Sequence, residues 1–149
     1  MNDKCPFCTS KFKYASIKEY DYWDLQLFVD DQYYIGRTVA VLQGRHITNI
    51  KDLTLEERNE LFEKVLPEIN NALDTIFSPD LYNYSSLGND CRHLHMHIIP
   101  RYNKIIEFEG KEFKDEYWNK TYSQGYRRVK LNRGDRNKLI NQIRANIQI

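Results

Sequence analysis

Arg92-His93-Leu94-His95-Met96-His97-Ile98-Ile99-Pro100-Arg101 holds three of the four histidines in the chain, on alternate positions. A β-strand sends successive side chains to opposite faces. As a strand, this stretch puts His93, His95 and His97 on one face and Leu94, Met96 and Ile98 on the other. The apolar face suits a core. The other carries three imidazoles, each able to act as nucleophile, base, donor or metal ligand near neutral pH. The competing reading is chance clustering on a solvated strand, in a chain that uses histidine sparingly.

Working outward, Gly88-Asn89-Asp90 reads as a turn and Leu81–Leu87 as a strand before it. Two strands so closely connected pair antiparallel. Asp24–Asp30 and Gly36–Leu42 read as two more strands, joined by a connection short enough for a hairpin. Between these pairs lies a helix. Thr54-Leu55-Glu56-Glu57 has the form of a capping box. Leu61, Phe62, Val65, Leu66, Ile69, Leu73, Ile76 and Phe77 then follow as an apolar stripe, read as core. Glu56, Glu57, Glu60 and Glu63 are expected to face water. Pro67 removes a hydrogen bond and predicts a kink; Ser78-Pro79-Asp80 ends the helix. Residues 102–126 lose periodicity, with Trp118 and Tyr122 as candidate anchors. Leu139, Ile140, Ile143 and Ile147 predict a final amphipathic helix capped by Asn132 or Asp135. The basic residues Arg127, Arg128, Lys130, Arg133, Arg136 and Lys138 read as a solvated or dimer-facing surface, with contact to phosphates as the alternative.

At 149 residues the chain fits one domain, 1–149, able to bury about two-thirds of its unfolded surface. With 22 basic and 21 acidic residues, its charge makes no case for nucleic acid or an anionic membrane. No apolar run is long enough to span a bilayer, and no apolar stretch follows Met1–Cys5 as in a secretory signal. A cytoplasmic location is expected. Three cysteines, an odd number, fit a reducing compartment better than a disulfide framework.

Cys5-Pro6-Phe7-Cys8 is half of a zinc site, a redox pair, or two unligated thiols. The redox form needs a strand before it, and too few residues precede Cys5, so zinc is favoured. Cys91 shares the histidine face if that strand begins early. Its plainer reading is a buried free cysteine.

The triad pattern, with Tyr82-Asn83-Tyr84 and Leu87-Gly88-Asn89-Asp90 before it and Pro100-Arg101 after, resembles the histidine triad (HIT) family of nucleotide hydrolases and transferases. The resemblance covers roughly residues 5–101. It implies an α+β fold: an antiparallel sheet of about five strands, a long helix over about 55–77 and a C-terminal helix packed on it. It also implies a nucleotide or dinucleoside polyphosphate substrate, cleaved at the α-phosphate through a nucleotidyl-histidine, and a homodimer. No stable nucleic-acid partner and no membrane are expected. The alternatives are a nucleotidyltransferase or phosphorylase with phosphate as acceptor, a non-catalytic nucleotide-binding module, or a metalloenzyme that uses the triad as ligands.

The chemistry suits imidazole. A neutral ring nitrogen attacks phosphorus and leaves readily from the phosphoramidate it forms, which splits one hard transfer into two easier ones. By resemblance His95 is the nucleophile and His97 supports the phosphate and leaving group. Asn83 and Asn89 match phosphate-site positions. Asp30, with Asp31 as the alternative, matches the acidic residue that holds the ribose, with Phe28 in the base pocket. Many members carry Ser or Thr where this chain has Asp90, and His where it has Arg37. In members with an N-terminal Cys-x-x-Cys the first motif histidine ligates zinc. That implies a structural zinc held by Cys5, Cys8, His46 and His93, with Cys91 as a rival ligand.

Overall fold

The computed structural model describes residues 2–122 and 127–147. Its centre is a five-stranded sheet in the order β1-β2-β3-β5-β4, built from β1 (Ser16–Glu19), β2 (Trp23–Leu27), β3 (Thr38–Leu42), β4 (Leu81–Ser85) and β5 (His95–Arg101). Every neighbouring pair is antiparallel. Helices α1 (Leu55–Glu60), α2 (Leu66–Phe77) and α3 (Arg133–Ile147) and a separate hairpin of β6 (Ile106–Phe108) and β7 (Lys111–Phe113) complete the α+β fold. The four expected strands form, each shorter than its alternation suggested. β1 and the hairpin have too few residues to show a period. No helix among the described residues is long and apolar enough to cross a membrane.

Register decides which face each histidine takes. Val41 pairs with His95 and Val39 with His97, while Ala40 pairs with Met96 and Thr38 with Ile98. Trp23, Leu25, Ala40, Leu42 and Ile98 pack into one buried cluster with Leu61, Val65, Ile69 and Leu73 beneath them and with Leu139, Ile140 and Ile143 of α3. His95 and His97 therefore lie on the face away from that core. His93 corrects the simple strand reading, because β5 starts only at His95. Just before it, the Leu94 N–H donates to the Ile47 carbonyl at 2.8 Å, and Leu42 N–H donates to the Leu94 carbonyl at 3.3 Å. This join carries His93 beside the His46 segment.

The helix begins as its sequence announces: Thr54 and Glu57 form a complete capping box. Two of its glutamates do not face water. Glu57 is buried, accepting from Arg45 Nε at 2.7 Å and Nη2 at 2.6 Å. Glu60 is buried too, and accepts from the backbone N–H groups of Asp21 at 3.0 Å and Tyr22 at 2.6 Å. Charged residues on the core-facing side are thus tolerated because each has donors. Pro67 is accommodated by a π-turn at Leu61–Val65, where the Leu66 N–H reaches back to the Leu61 carbonyl, so that Pro67 falls in the first turn of α2. Its missing N–H matters least there. Phe62, placed in the stripe by sequence, is 56% exposed. Ser78 closes α2 in the left-handed conformation, φ 49°.

Asn132 caps α3 by accepting from the Asp135 N–H at 2.8 Å. From the same helix, Arg144 Nε donates to the Ile17 carbonyl at 3.1 Å and Nη2 to that of Ser16. The irregular stretch after β7 is anchored less by Trp118 or Tyr122 than by buried Arg101. That residue pairs with Asp115 at 2.6 Å and donates to the carbonyls of Tyr117 at 2.7 Å and Lys120 at 3.0 Å. Of the basic cluster, Arg127, Arg128, Lys130 and Arg133 are exposed. Lys138 pairs with Glu109 at 3.0 Å, and Arg136 lies over the Tyr14 ring at 4.9 Å.

Candidate functional site

β5 presents His95 and His97 side by side, ring centroids 5.2 Å apart. His95 Nδ1 lies 2.6 Å from the His93 carbonyl oxygen. A carbonyl only accepts, so Nδ1 carries the proton and Nε2 keeps its lone pair. Burial holds the His95 pKa below the usual histidine value, with the hydrogen bond to His93 opposing. His97 is fixed the other way round. Arg37 Nη2 is 3.2 Å from its Nδ1. A guanidinium only donates, so Nδ1 is the acceptor and the proton sits on Nε2. Burial, then the Arg37 charge, then His95 push the His97 pKa down to about 3.

Arg37 owes its place to Gly36. That residue has φ +94°, and a Cβ there would meet Leu73 Cδ2 at 2.8 Å, so only glycine lets the β2–β3 connection press against α2. The Arg37 guanidinium is 3% exposed, lies 4.4 Å from the centroid of the Phe28 ring, and has Asp31 Oδ2 4.0 Å from Nη1. Phe28 in turn meets His97 edge-on, centroids 4.9 Å apart.

Phe28, Arg37, His95 and His97 line one cavity of about 530 Å³. Of the sequence candidates it brings together Phe28, Asp30, Asn89, His95 and His97. Asp31 does not line it. Asp31 turns inward and accepts from the N–H groups of Tyr33 at 2.9 Å and Val129 at 3.1 Å. Asn83 is also elsewhere: its Oδ1 accepts from Arg101 Nη1 at 2.7 Å, and it lines a second cavity with Tyr84, Trp118 and Tyr122. Sequence reasoning missed Pro6, Phe7 and Phe12, which line the first cavity with Arg37; Arg128, from the basic cluster, lines it too. The Phe7 ring sits 5.1 Å from that of His95. Its position inside the Cys-x-x-Cys was the one available signal.

Beyond Phe7, the ligand atoms of Cys5, Cys8, His46 and His93 all lie within 4.8 Å of one another. Cys8 Sγ is 3.3 Å from His46 Nδ1 and 3.4 Å from His93 Nδ1, and the two nitrogens are 3.1 Å apart. His93 Nε2 donates to the Leu42 carbonyl at 2.7 Å, which leaves the Nδ1 lone pair turned into the cluster. Two sulfurs and two ring nitrogens facing one point are a donor set that fits a metal ion. Cys91 is outside this group and lines the cavity instead.

Residues 23–104, more than half of the chain, match the family model of the HIT domain. The chain belongs to the HIT domain family. The matched range contains His46, His93, His95 and His97, and Cys5 and Cys8 precede it. A curated relative, Protein hit of Bacillus subtilis, is 33% identical over 123 residues, covering 77% of this chain and 84% of that protein. Among solved structures, a histidine triad protein from Sinorhizobium meliloti is similar with a TM-score of 0.70 at 19% identity, covering 92% of this chain and 93% of that one. A Zn-bound histidine triad family protein from Mycobacterium smegmatis aligns with a TM-score of 0.65 at 19% identity, covering 97% and 94%. Those two likenesses are of fold.

Proposed function

We propose that this HIT domain is a nucleotide hydrolase that cleaves dinucleoside polyphosphates or related nucleotide conjugates at the α-phosphate. The observation that carries it is the pair of opposite Nδ1 partners on β5, a carbonyl at His95 and a guanidinium at His97, which assign a lone pair to His95 Nε2 and a proton to His97 Nε2. His95 Nε2 attacks the α-phosphorus, a nitrogen–phosphorus bond forms, and the bond to the leaving group breaks. Water then attacks the phosphorus. The nitrogen–phosphorus bond returns its electrons to Nε2, and a nucleoside monophosphate and a proton are released. His97 Nε2–H donates to the phosphate oxygens as charge develops on them. Asp30 accepts from the ribose hydroxyls, Phe28 stacks on or borders the base, and Asn89 with the backbone of its turn meets phosphate oxygen. Asn83, held by Arg101 outside the cavity, contributes no direct contact.

Cys5, Cys8, His46 and His93 would hold one zinc ion, an assignment supported by their donor set and by the zinc in the Mycobacterium smegmatis protein. A site closed by four protein ligands is structural and does not activate water. It would tie the N-terminal segment, and with it Phe7, to the start of β5. The location proposed is the cytoplasm and the assembly a homodimer, which light scattering checks.

Incubation with diadenosine polyphosphates should give AMP and the remaining nucleotide, and rapid quenching should trap a nucleotidyl adduct on His95 by mass spectrometry. Added inorganic phosphate should leave the AMP yield unchanged, where a phosphorylase would make ADP. No turnover of any polyphosphate or conjugate in such a panel would refute the proposal.

A further inference from the structure

The guanidinium of Arg37 has no acceptor to offer, and it lies against the one His97 nitrogen that could take up a second proton. While that contact stands, His97 cannot become an imidazolium. The surroundings reinforce it. Asp31, whose Oδ1 accepts from two backbone N–H groups, pairs through Oδ2 with Nη1 at 4.0 Å and so helps hold the guanidinium against His97. On β5 the nearest titratable neighbour is His95, already committed to a lone pair at Nε2. Across from His97 on β4 is Ser85, whose hydroxyl accepts from Tyr122. The remaining charges on the cavity wall are Asp30, Asp90 and Arg128.

This bears on the leaving group. A phosphoanhydride releases a phosphate oxygen, which departs with the electron pair as a stable anion and takes no proton. A phosphoramidate of an alkylamine must have its nitrogen protonated before the nitrogen–phosphorus bond can break. A neutral His97 whose Nδ1 is occupied by a permanent cation offers hydrogen bonds to phosphate but no spare proton.

We propose that Arg37 is a positioning residue that locks His97 as the neutral Nε2–H imidazole, and that it thereby restricts the site to leaving groups that depart as anions. The substrate class is then nucleoside 5′-phosphoanhydrides, with alkylamine phosphoramidates excluded. This rests on the nucleotide hydrolase reading above and narrows it. The depressed His97 pKa agrees with it.

The test has two arms on the wild-type protein and one on a variant. Nitrogen-15 NMR of the wild type should show His97 as a single Nε2–H tautomer down to about pH 5. Diadenosine tetraphosphate should be cleaved with a kcat/KM at least about 100-fold above that of an AMP alkylamine phosphoramidate, the low end of what general-acid help supplies. In Arg37→Met the His97 tautomer should become mixed and that ratio should shrink at least ten-fold, mainly through kcat on the phosphoramidate. A wild-type His97 that titrates near the ordinary histidine value, or a wild type that prefers the phosphoramidate, would overturn the proposal. An unchanged tautomer and ratio in Arg37→Met would do the same. Should that variant fail to fold, the wild-type arms still decide. Turnover of neither probe would bring down the hydrolase reading and the preference with it, while the NMR arm would still judge the role of Arg37.

Discussion

In the cavity, each histidine is held by a partner that needs no ion: His95 by the His93 carbonyl, His97 by Arg37. Two residues back along the chain, the Cys/His cluster is built differently. His93 has a backbone partner in Leu42, but Cys5, Cys8 and His46 arrive from remote segments and meet chiefly through sulfur and ring nitrogen. Groups of that kind gain little from one another unless a cation sits between them. The cavity is therefore preorganised by protein contacts, while the cluster is a closure that the proposed zinc would have to strengthen. Phe7 joins the two, belonging to the Cys-x-x-Cys and packing on His95.

The largest effect that would separate the two regions is on chemistry alone. His95→Asn removes the attacking nitrogen. It should lower kcat by a factor on the order of 10⁴ or more, while a non-hydrolysable nucleotide analogue still binds within a few-fold and zinc content and melting temperature stay near wild type. Turnover within ten-fold of wild type would show that the pocket is not used as described. The next effect runs the other way. The purified protein should hold close to one zinc per chain. Cys5→Ser should lose most of it and lower the melting temperature by about 10 °C, as expected for roughly 3–4 kcal/mol in a domain of this size. Fluorimetry with metal analysis measures both; a metal-free protein with unchanged melting would remove the distinction between the two regions.

The smallest effect sharpens the contrast. The folded pKa of His97 is about 3, against roughly 6.5 in an unfolded chain. Between those values the unfolded state binds more protons, so this group's contribution to stability is intact above about pH 6.5 and is lost as pH falls toward 3. Loss of the proposed zinc in acid would also destabilise the protein. The informative quantity is thus the difference between wild type and His97→Gln, whose melting temperature should decline less steeply from pH 6.5 to 4.5. Parallel curves would mean that His97 is not held neutral by the fold.

What the sequence disclosed follows from which features are local. The capping box at Thr54–Glu57 and the histidine alternation each depend on residues a few positions apart; the box forms as expected, and the alternation holds for His95 and His97, with His93 falling just before the strand. The four candidate ligands, named together only through the family resemblance, do converge, because the join before β5 brings His93 beside the His46 segment. Glu57 and Glu60 were misread because a charge on a helix ordinarily signals water, and their donors, Arg45 and the Asp21–Tyr22 backbone, come from other segments. Asp30 and Asp31 are adjacent, so composition cannot separate them; the turn sends one to the cavity and the other to backbone amides. Asn83 carries a side chain suited to phosphate, but Arg101, eighteen residues on, claims it. Arg37 gave no local sign of touching His97, sixty residues away.

The contact of Arg144 with β1 has a consequence for how the sheet can grow. β1 is one margin of the sheet, and its register already slips between Ser16 and Lys18. Arg144 covers the Ser16 and Ile17 carbonyls at that slip. A bulge and a clamped pair of acceptors leave little for an incoming strand to bond. The opposite margin, β4, has no such guard among the described residues and displays Leu81 and Tyr84, each 44% exposed. The β1 margin therefore offers an incoming strand less than the β4 margin does, and β4 is the side that carries the Asn83 cavity.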